Sequence, residues 1–138
     1  MKNTLTHQGF GLINGLAIQF ILGMAINLFV AFPESGGPKA MWGFTLHNPL
    51  VLAHLFIGTL LVFGAVAVVV RVFRQGETAW KWPVVSGLIW ILVAWAAGDT
   101  FVTSQADILS YVMSLAFLLA ILSYAFGLYR SRNTAPAK

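Results

Sequence analysis

The side chains best suited to chemistry in this sequence form a polar layer within otherwise apolar segments. Asn27, His54 and Asp99 each lie five residues from one end of their apolar segment, which is about 7.5 Å along a helix. Ser110 and Tyr111 lie at a similar depth in the last segment. An ionisable side chain inside a membrane span is costly, and it normally faces the bundle interior and finds a partner. We therefore predict that His54 and Asp99 pair, with Asn27 and Tyr111 nearby; in the alternative, Asp99 ends its helix near the headgroups and His54 bonds to a neighbouring carbonyl.

His54 is also a candidate axial ligand for b-type haem, with His47 as the second candidate. Gly58 follows His54 by one helical turn and would leave room for a flat macrocycle beside the imidazole. His47 precedes the expected helix start at Asn48 and Pro49, and no other predicted span contains histidine. A second haem ligand would have to be His47 folding back, Met24, Met113, or His54 of a second subunit.

Small and polar residues recur every fourth position in the first apolar segment. They are Gly11, Gly15, Gln19, Gly23 and Asn27. In membrane helices, glycine lets two backbones approach closely and amides hydrogen-bond across the contact. The spacing predicts a helix-packing ridge, either within the chain or against another subunit; in the alternative, Gln19 and Asn27 line a pathway.

The elements that position these residues follow from composition. Hydrophobic residues make up 59% of the 138-residue chain and charged residues only 9%, whereas a soluble domain has roughly 25% charged residues. Charge-free runs long enough to cross a bilayer indicate an all-α integral membrane bundle of four transmembrane helices, up-down-up-down with short loops. We expect one membrane domain over 1–138, and these are its predicted spans: 10–32, 49–70, 83–104 and 106–129.

The connections between the spans are short. The longest covers 33–48, and the tail over 130–138 is predicted to be disordered. Asn48 followed by Pro49 is typical of a helix start. Ser104 and Asp107 read as a capping box that begins the fourth helix directly after the third. The chain contains no cysteine, which excludes disulfide scaffolds and cysteine nucleophiles.

The basic residues indicate topology rather than nucleic-acid binding, although the isoelectric point is near 9.9. Seven of the eight Lys and Arg residues fall on one side of the predicted bundle: Lys2, Arg71, Arg74, Lys81, Arg130, Arg132 and Lys138. Only Lys39 falls on the other side. By the positive-inside rule, both termini face the cytoplasm, and we expect a multi-pass protein of a bacterial plasma membrane.

Three functions fit these observations. The first is a structural or accessory subunit that packs through its first helix, as a homo-oligomer or against another membrane subunit. The second is a haem- or quinone-linked redox protein with its site in the outer half of the bilayer. The third is a small proton- or ion-coupled transporter or channel that uses His54 and Asp99. The expected surroundings are the lipid bilayer in each case, and no catalytic motif favours an enzyme of another class.

The cation asymmetry predicts the orientation directly. A reporter that is active only in the cytoplasm, fused after Lys138, should be active in intact cells, because the cation-rich connections resist translocation. The same reporter inserted near 105 should be inactive. Activity of the 105 fusion alone would contradict the predicted orientation.

Overall fold

The chain folds into five helices in the computed structural model, which describes residues 2–33 and 37–133. Four of the helices are long and apolar enough to cross a membrane, so the predicted all-α bundle of four spans is confirmed. Their 27 or 28 residues correspond to roughly 40 Å, which exceeds a hydrocarbon core of about 30 Å. The helices are α1 Lys2–Phe29, α2 Gly37–His47, α3 Pro49–Gln75, α4 Thr78–Ser104 and α5 Asp107–Asn133.

The helix boundaries differ from the predicted spans mainly at the ends that carry polar residues. α1 begins eight residues before the predicted span and ends three residues earlier, whereas α3 and α4 extend five residues further toward their connection. α5 continues to Asn133, so 130–133 are helical rather than disordered; the rest of the predicted tail lies outside the described residues. Helices extend past the apolar core because backbone hydrogen bonding continues into the interface.

Local sequence explains where α3 begins and ends. Asn48 accepts hydrogen bonds at Oδ1 from the backbone N–H groups of Leu50 and Val51, at 3.1 and 3.2 Å, and Pro49 occupies the first helical position, as predicted. Gly76 ends α3 in the left-handed conformation, with φ of 69°, which glycine adopts without strain.

The predicted capping box at the start of α5 is wrong. Ser104 is the last residue of α4, and its hydroxyl donates back to the carbonyl of Thr100. Gln105 ends α4 with φ of 51°, and α5 begins two residues later at Asp107. A serine hydroxyl in the last turn of a helix often bonds to the preceding turn, so it is unavailable as a cap for the next helix.

The four long helices pack as a closed ring in which every neighbour runs antiparallel. α1 contacts α3 and α5, and α4 contacts the same two helices from the opposite side, while α2 lies against α3 and α4. This arrangement gives the bundle two distinguishable ends. We call the end that carries α2 and the α4–α5 turn the α2 end, and the other the terminal end.

The terminal end is filled by large side chains seated on glycines. Trp80 is 2% exposed and lies against both Gly9 and Gly127, where an added Cβ would come within 2.7 Å of its ring. Tyr124 packs in the same way on Gly87. Close approach of this kind requires glycine, because any side chain would overlap the ring.

The α2 end is held by contacts between segments distant in sequence. Gln105 donates from Nε2 to the carbonyl of Pro33 at 2.9 Å, which ties the α4–α5 turn to the segment after α1. The ring of Phe32 lies edge-on to Phe44 and Phe101, with centroid distances of 5.7 and 5.4 Å. Edge-to-face pairs of this kind add to the stability gained by burial alone.

Exposed apolar side chains cover the long helices all around the bundle. Phe29, Phe63 and Trp82 are each more than two-thirds exposed. A water-soluble protein rarely exposes contiguous apolar patches of this extent. Together with the helix lengths, this surface identifies a multi-pass membrane protein.

The glycine contacts of Trp80 predict a sharp difference between two positions on α1. Gly9→Ala should lower the free energy of unfolding by about 1–3 kcal/mol relative to Gly11→Ala, because overpacking a filled contact costs that much. An added Cβ at Gly9 would lie 2.7 Å from Trp80 Cη2, whereas nothing lies within 4 Å of one at Gly11. Both variants gain the same helix propensity, so their difference in thermal stability in detergent isolates the contact. Equal stability would contradict the packing.

Candidate functional site

A cavity of about 290 Å³ occupies the α2 end of the bundle. All five helices and Phe32, which follows α1, contribute to its wall, and the lining residues of the four long helices come from the half of each helix at the α2 end. Below it, Leu61, Ile91 and Phe117 form the floor, and the terminal half is packed with buried side chains. The cavity therefore reaches into the bundle from one end only.

Three of the four residues of the predicted polar layer line this cavity. His54 is partly buried, whereas Asn27 and Asp99 lie on the wall with exposed side chains. Tyr111 is 64% exposed and does not line the cavity, so its predicted place in the layer is wrong. Its neighbour Ser110 lines the wall instead, because one residue along a helix turns the side chain by about 100°.

Gln19 joins α1 to α3 at the base of the cavity. Its Nε2 donates to the carbonyl of His54 at 2.8 Å, and its side chain is 2% exposed. Gly58 makes room for this amide, since an added Cβ there would lie 2.9 Å from Gln19 Nε2. One turn along α1, Gly23 makes the corresponding room for the imidazole of His54, whose Cε1 would lie 3.1 Å from an added Cβ.

Only part of the predicted packing ridge on α1 lies in a contact within the chain. Gly15, Gln19 and Gly23 lie against α3 of the same chain, where Leu61 and His54 meet the two glycines. Gly11 is exposed and has no neighbour within 4 Å of an added Cβ, so it does not pack within the described part of the chain, and its contact with another subunit stays a prediction. The side chain of Asn27 lies on the cavity wall. Residues spaced four apart rotate gradually around a helix of 3.6 residues per turn, so the two ends of the ridge do not face α3.

Several polar atoms of the cavity wall are buried and have no hydrogen-bond partner among the described residues: Gln19 Oε1, Thr45 Oγ1 and His54 Nδ1. Thr45 comes from α2 and is 2% exposed. Buried polar atoms are normally hydrogen-bonded, and each orphan is costly in an apolar environment. Together they give the wall an amide acceptor, a hydroxyl that can donate or accept, and an imidazole nitrogen that can do either.

The space predicted for a macrocycle beside His54 is taken by protein. The room left by Gly58 holds the Gln19 amide. His47 is exposed, does not line the cavity, and its Nδ1 lies 2.7 Å from the carbonyl of Gly43. Met24 and Met113 do line the cavity with His54. Among the described residues, no group of three or more His, Asp or Glu could hold a metal ion.

The cavity wall carries an acidic side chain but no Lys or Arg among the described residues. Asp99 is the one acidic side chain on the wall in that part of the chain. Aromatic rings supply much of the remaining surface: Phe20, Phe32, Trp42, Trp95, Phe101 and Phe117. Such a wall suits a neutral or cationic ligand with a flat ring and disfavours an anion.

The sequence prediction missed α2 and the roles of Thr45 and Gln19. The sequence predicts a loop over 33–48, whereas the structure has a helix there whose Met41 and Thr45, one turn apart, face inward while Trp42 and Leu46 are exposed. The sequence carries no amphipathic signal for this helix, because the two exposed side chains are apolar and the buried Thr45 is polar. The sequence predicts Gln19 in the packing ridge or on a pathway with Asn27, because nothing in the sequence places it opposite Gly58.

No protein-family model, curated protein or solved structure matches this chain.

The inward position of Thr45 can be tested with single cysteines, because the native chain has none. Thr45→Cys is nearly isosteric and places a thiol on the cavity wall. Leu46→Cys places a thiol at a neighbouring position where the native side chain is 58% exposed. A bulky maleimide should label Thr45→Cys roughly tenfold or more slowly than Leu46→Cys, because a buried thiol reacts only after local opening. Equal labelling rates would show that α2 does not cover the cavity.

Proposed function

We propose that this protein binds a small, neutral, lipid-soluble ring molecule of the quinone class in the cavity at its α2 end. The observation that carries the proposal is the coincidence, in one apolar cavity, of three buried polar atoms without partners on Gln19, Thr45 and His54. A ligand with carbonyl or hydroxyl groups on a flat ring would satisfy these atoms and stack on the aromatic wall.

The size of the cavity supports a single substituted ring. An apolar cavity of about 150 Å³ holds benzene, and the cavity here is about 290 Å³. Ring carbonyls accept hydrogen bonds from the Thr45 hydroxyl or from a protonated nitrogen of His54, while a ring hydroxyl donates to Gln19 Oε1. The oxidised and reduced forms of a quinone therefore both find partners on the same wall.

The absence of cations on the described wall supports a neutral ligand over an anionic lipid headgroup. The packed terminal half argues for binding over conduction, since Leu16, Ala65 and Tyr124 are fully buried there and leave the cavity closed on that side. The transporter alternative would require a second arrangement of these side chains.

The expected role as an accessory subunit stays a prediction. Its main support was the ridge on α1, and Gly15, Gln19 and Gly23 of that ridge lie against α3 within the chain. A bacterial plasma membrane with both termini in the cytoplasm is part of the proposal and depends on the cation asymmetry. In that orientation the cavity lies in the outer half of the bilayer.

Tryptophan fluorescence gives a direct test, because Trp42 and Trp95 line the cavity. Titration of the purified protein in lipid nanodiscs with tetramethylbenzoquinone, which has no tail, should give saturable quenching. His54→Leu should weaken the binding about 3–10-fold, since it removes one hydrogen-bonding group from a buried site.

The matched control is His47→Leu. It removes a histidine that lies outside the cavity, so the saturable quenching should keep its native midpoint. Quenching that never saturates, or that both histidine variants change equally, would contradict the proposal. Preferential saturable binding of tetraphenylphosphonium would instead indicate a lipophilic-cation site at Asp99.

A further inference from the structure

One face of α1 is covered at the terminal end of the bundle and uncovered at the α2 end. Gly9 is buried against Trp80 of α4 and Leu128 of α5, which an added Cβ would approach to 2.7 and 3.4 Å. Phe20 follows Gly9 by eleven residues, or about three helical turns, so it lies on the same face. Yet Phe20 and Met24 are 39% and 40% exposed.

These exposed residues also belong to the cavity wall. Phe20, Met24 and Asn27 line the cavity from α1, while Ser110, Ser114 and Phe117 line it from α5. The neighbouring face of α1, with Gln19 and Gly23, is occupied by α3. The cavity wall is thus open to the surface on the side where α1 faces α5.

The opening lies at the depth of the lipid tails. Phe20 is nine residues from the end of α1 at Phe29, which is about 14 Å along the helix. On the α1 side its rim is apolar at Phe20 and Met24 and becomes polar at Asn27, near the helix end. An opening with such a rim at this depth meets hydrocarbon rather than water.

We infer that the ligand bound in the cavity carries an apolar tail, which passes between α1 and α5 over Phe20 and Met24 into the bilayer. This inference depends on the proposed ring-binding function and adds the entry route and the second half of the ligand. The ring satisfies the polar atoms deep in the cavity, while the tail exchanges lipid contacts for contacts with Phe20 and Met24. Because lipid tails are as apolar as these side chains, the tail contributes little affinity but must be accommodated.

The first test compares two benzoquinones with similar rings, tetramethylbenzoquinone and decylubiquinone, by the fluorescence titration in nanodiscs. With concentrations expressed per lipid, the two should bind with dissociation constants within about threefold of each other. A cavity without a lateral opening would exclude the decyl chain and weaken its binding by far more than tenfold.

The second test narrows the opening. Met24→Trp should weaken decylubiquinone binding roughly tenfold by overpacking the tail path, and it should affect tetramethylbenzoquinone less. Ile21→Trp is the matched control, since Ile21 is 66% exposed and does not line the cavity. Equal effects of the two substitutions on decylubiquinone would contradict the tail route.

Photolabelling locates the tail independently of any substitution. A decylubiquinone analogue with a diazirine at the end of its tail should label the Phe20–Met24 segment, and excess decylubiquinone should prevent that labelling. Labelling of Phe63, which is 67% exposed on α3, should come from free lipid-phase probe and resist competition. Competed labelling on α3 or α4 instead would overturn the tail route, whereas failure of tetramethylbenzoquinone to bind at all would overturn the ring site itself.

Discussion

The hydrogen bond from Gln19 Nε2 to the carbonyl of His54 sets the geometry on which the candidate site depends. It joins two membrane-spanning helices at 2.8 Å, in a region where water cannot replace a lost partner. The donor reaches α3 because Gly58 has no side chain, so the amide fixes both the spacing and the register of α1 against α3. That register places Gly23 beside the His54 ring. Phe20 and Met24, within one turn of Gly23, lie on the cavity wall.

The bundle uses glycine for two different purposes at its two ends. At the terminal end, glycines receive the rings of Trp80 and Tyr124. At the α2 end, Gly23 and Gly58 receive shorter polar side chains from the neighbouring helix, and the space above them stays open. The side chains seated on glycines are larger at the terminal end than at the α2 end. This difference in volume, rather than helix length, explains why one half of the bundle is packed and the other contains the cavity.

The sequence predicts those features of the fold and site that depend on one physical effect. It does not predict which side chains face the cavity, because that depends on how each helix is rotated about its axis. Apolarity over four long runs predicted the spans, and Asn48 with Pro49 predicted the start of α3. Depth placed Asn27, His54 and Asp99 at one level, and all three line the cavity. Depth could not distinguish Ser110 from Tyr111, nor could spacing show that Gly11 is exposed, because both depend on how far each helix is turned toward its neighbours.

The junction between α2 and α3 has a mechanical consequence. A single residue, Asn48, separates the two helices, so the direction of α2 is set largely by one pair of backbone angles, with φ of −92° and ψ of 111°. The same residue holds the first turn of α3 through its side chain. A change in the direction of α2 would rotate the backbone of Asn48. Because Asn48 also caps α3, which carries His54, an outward movement of α2 would strain the hydrogen bonds of that cap.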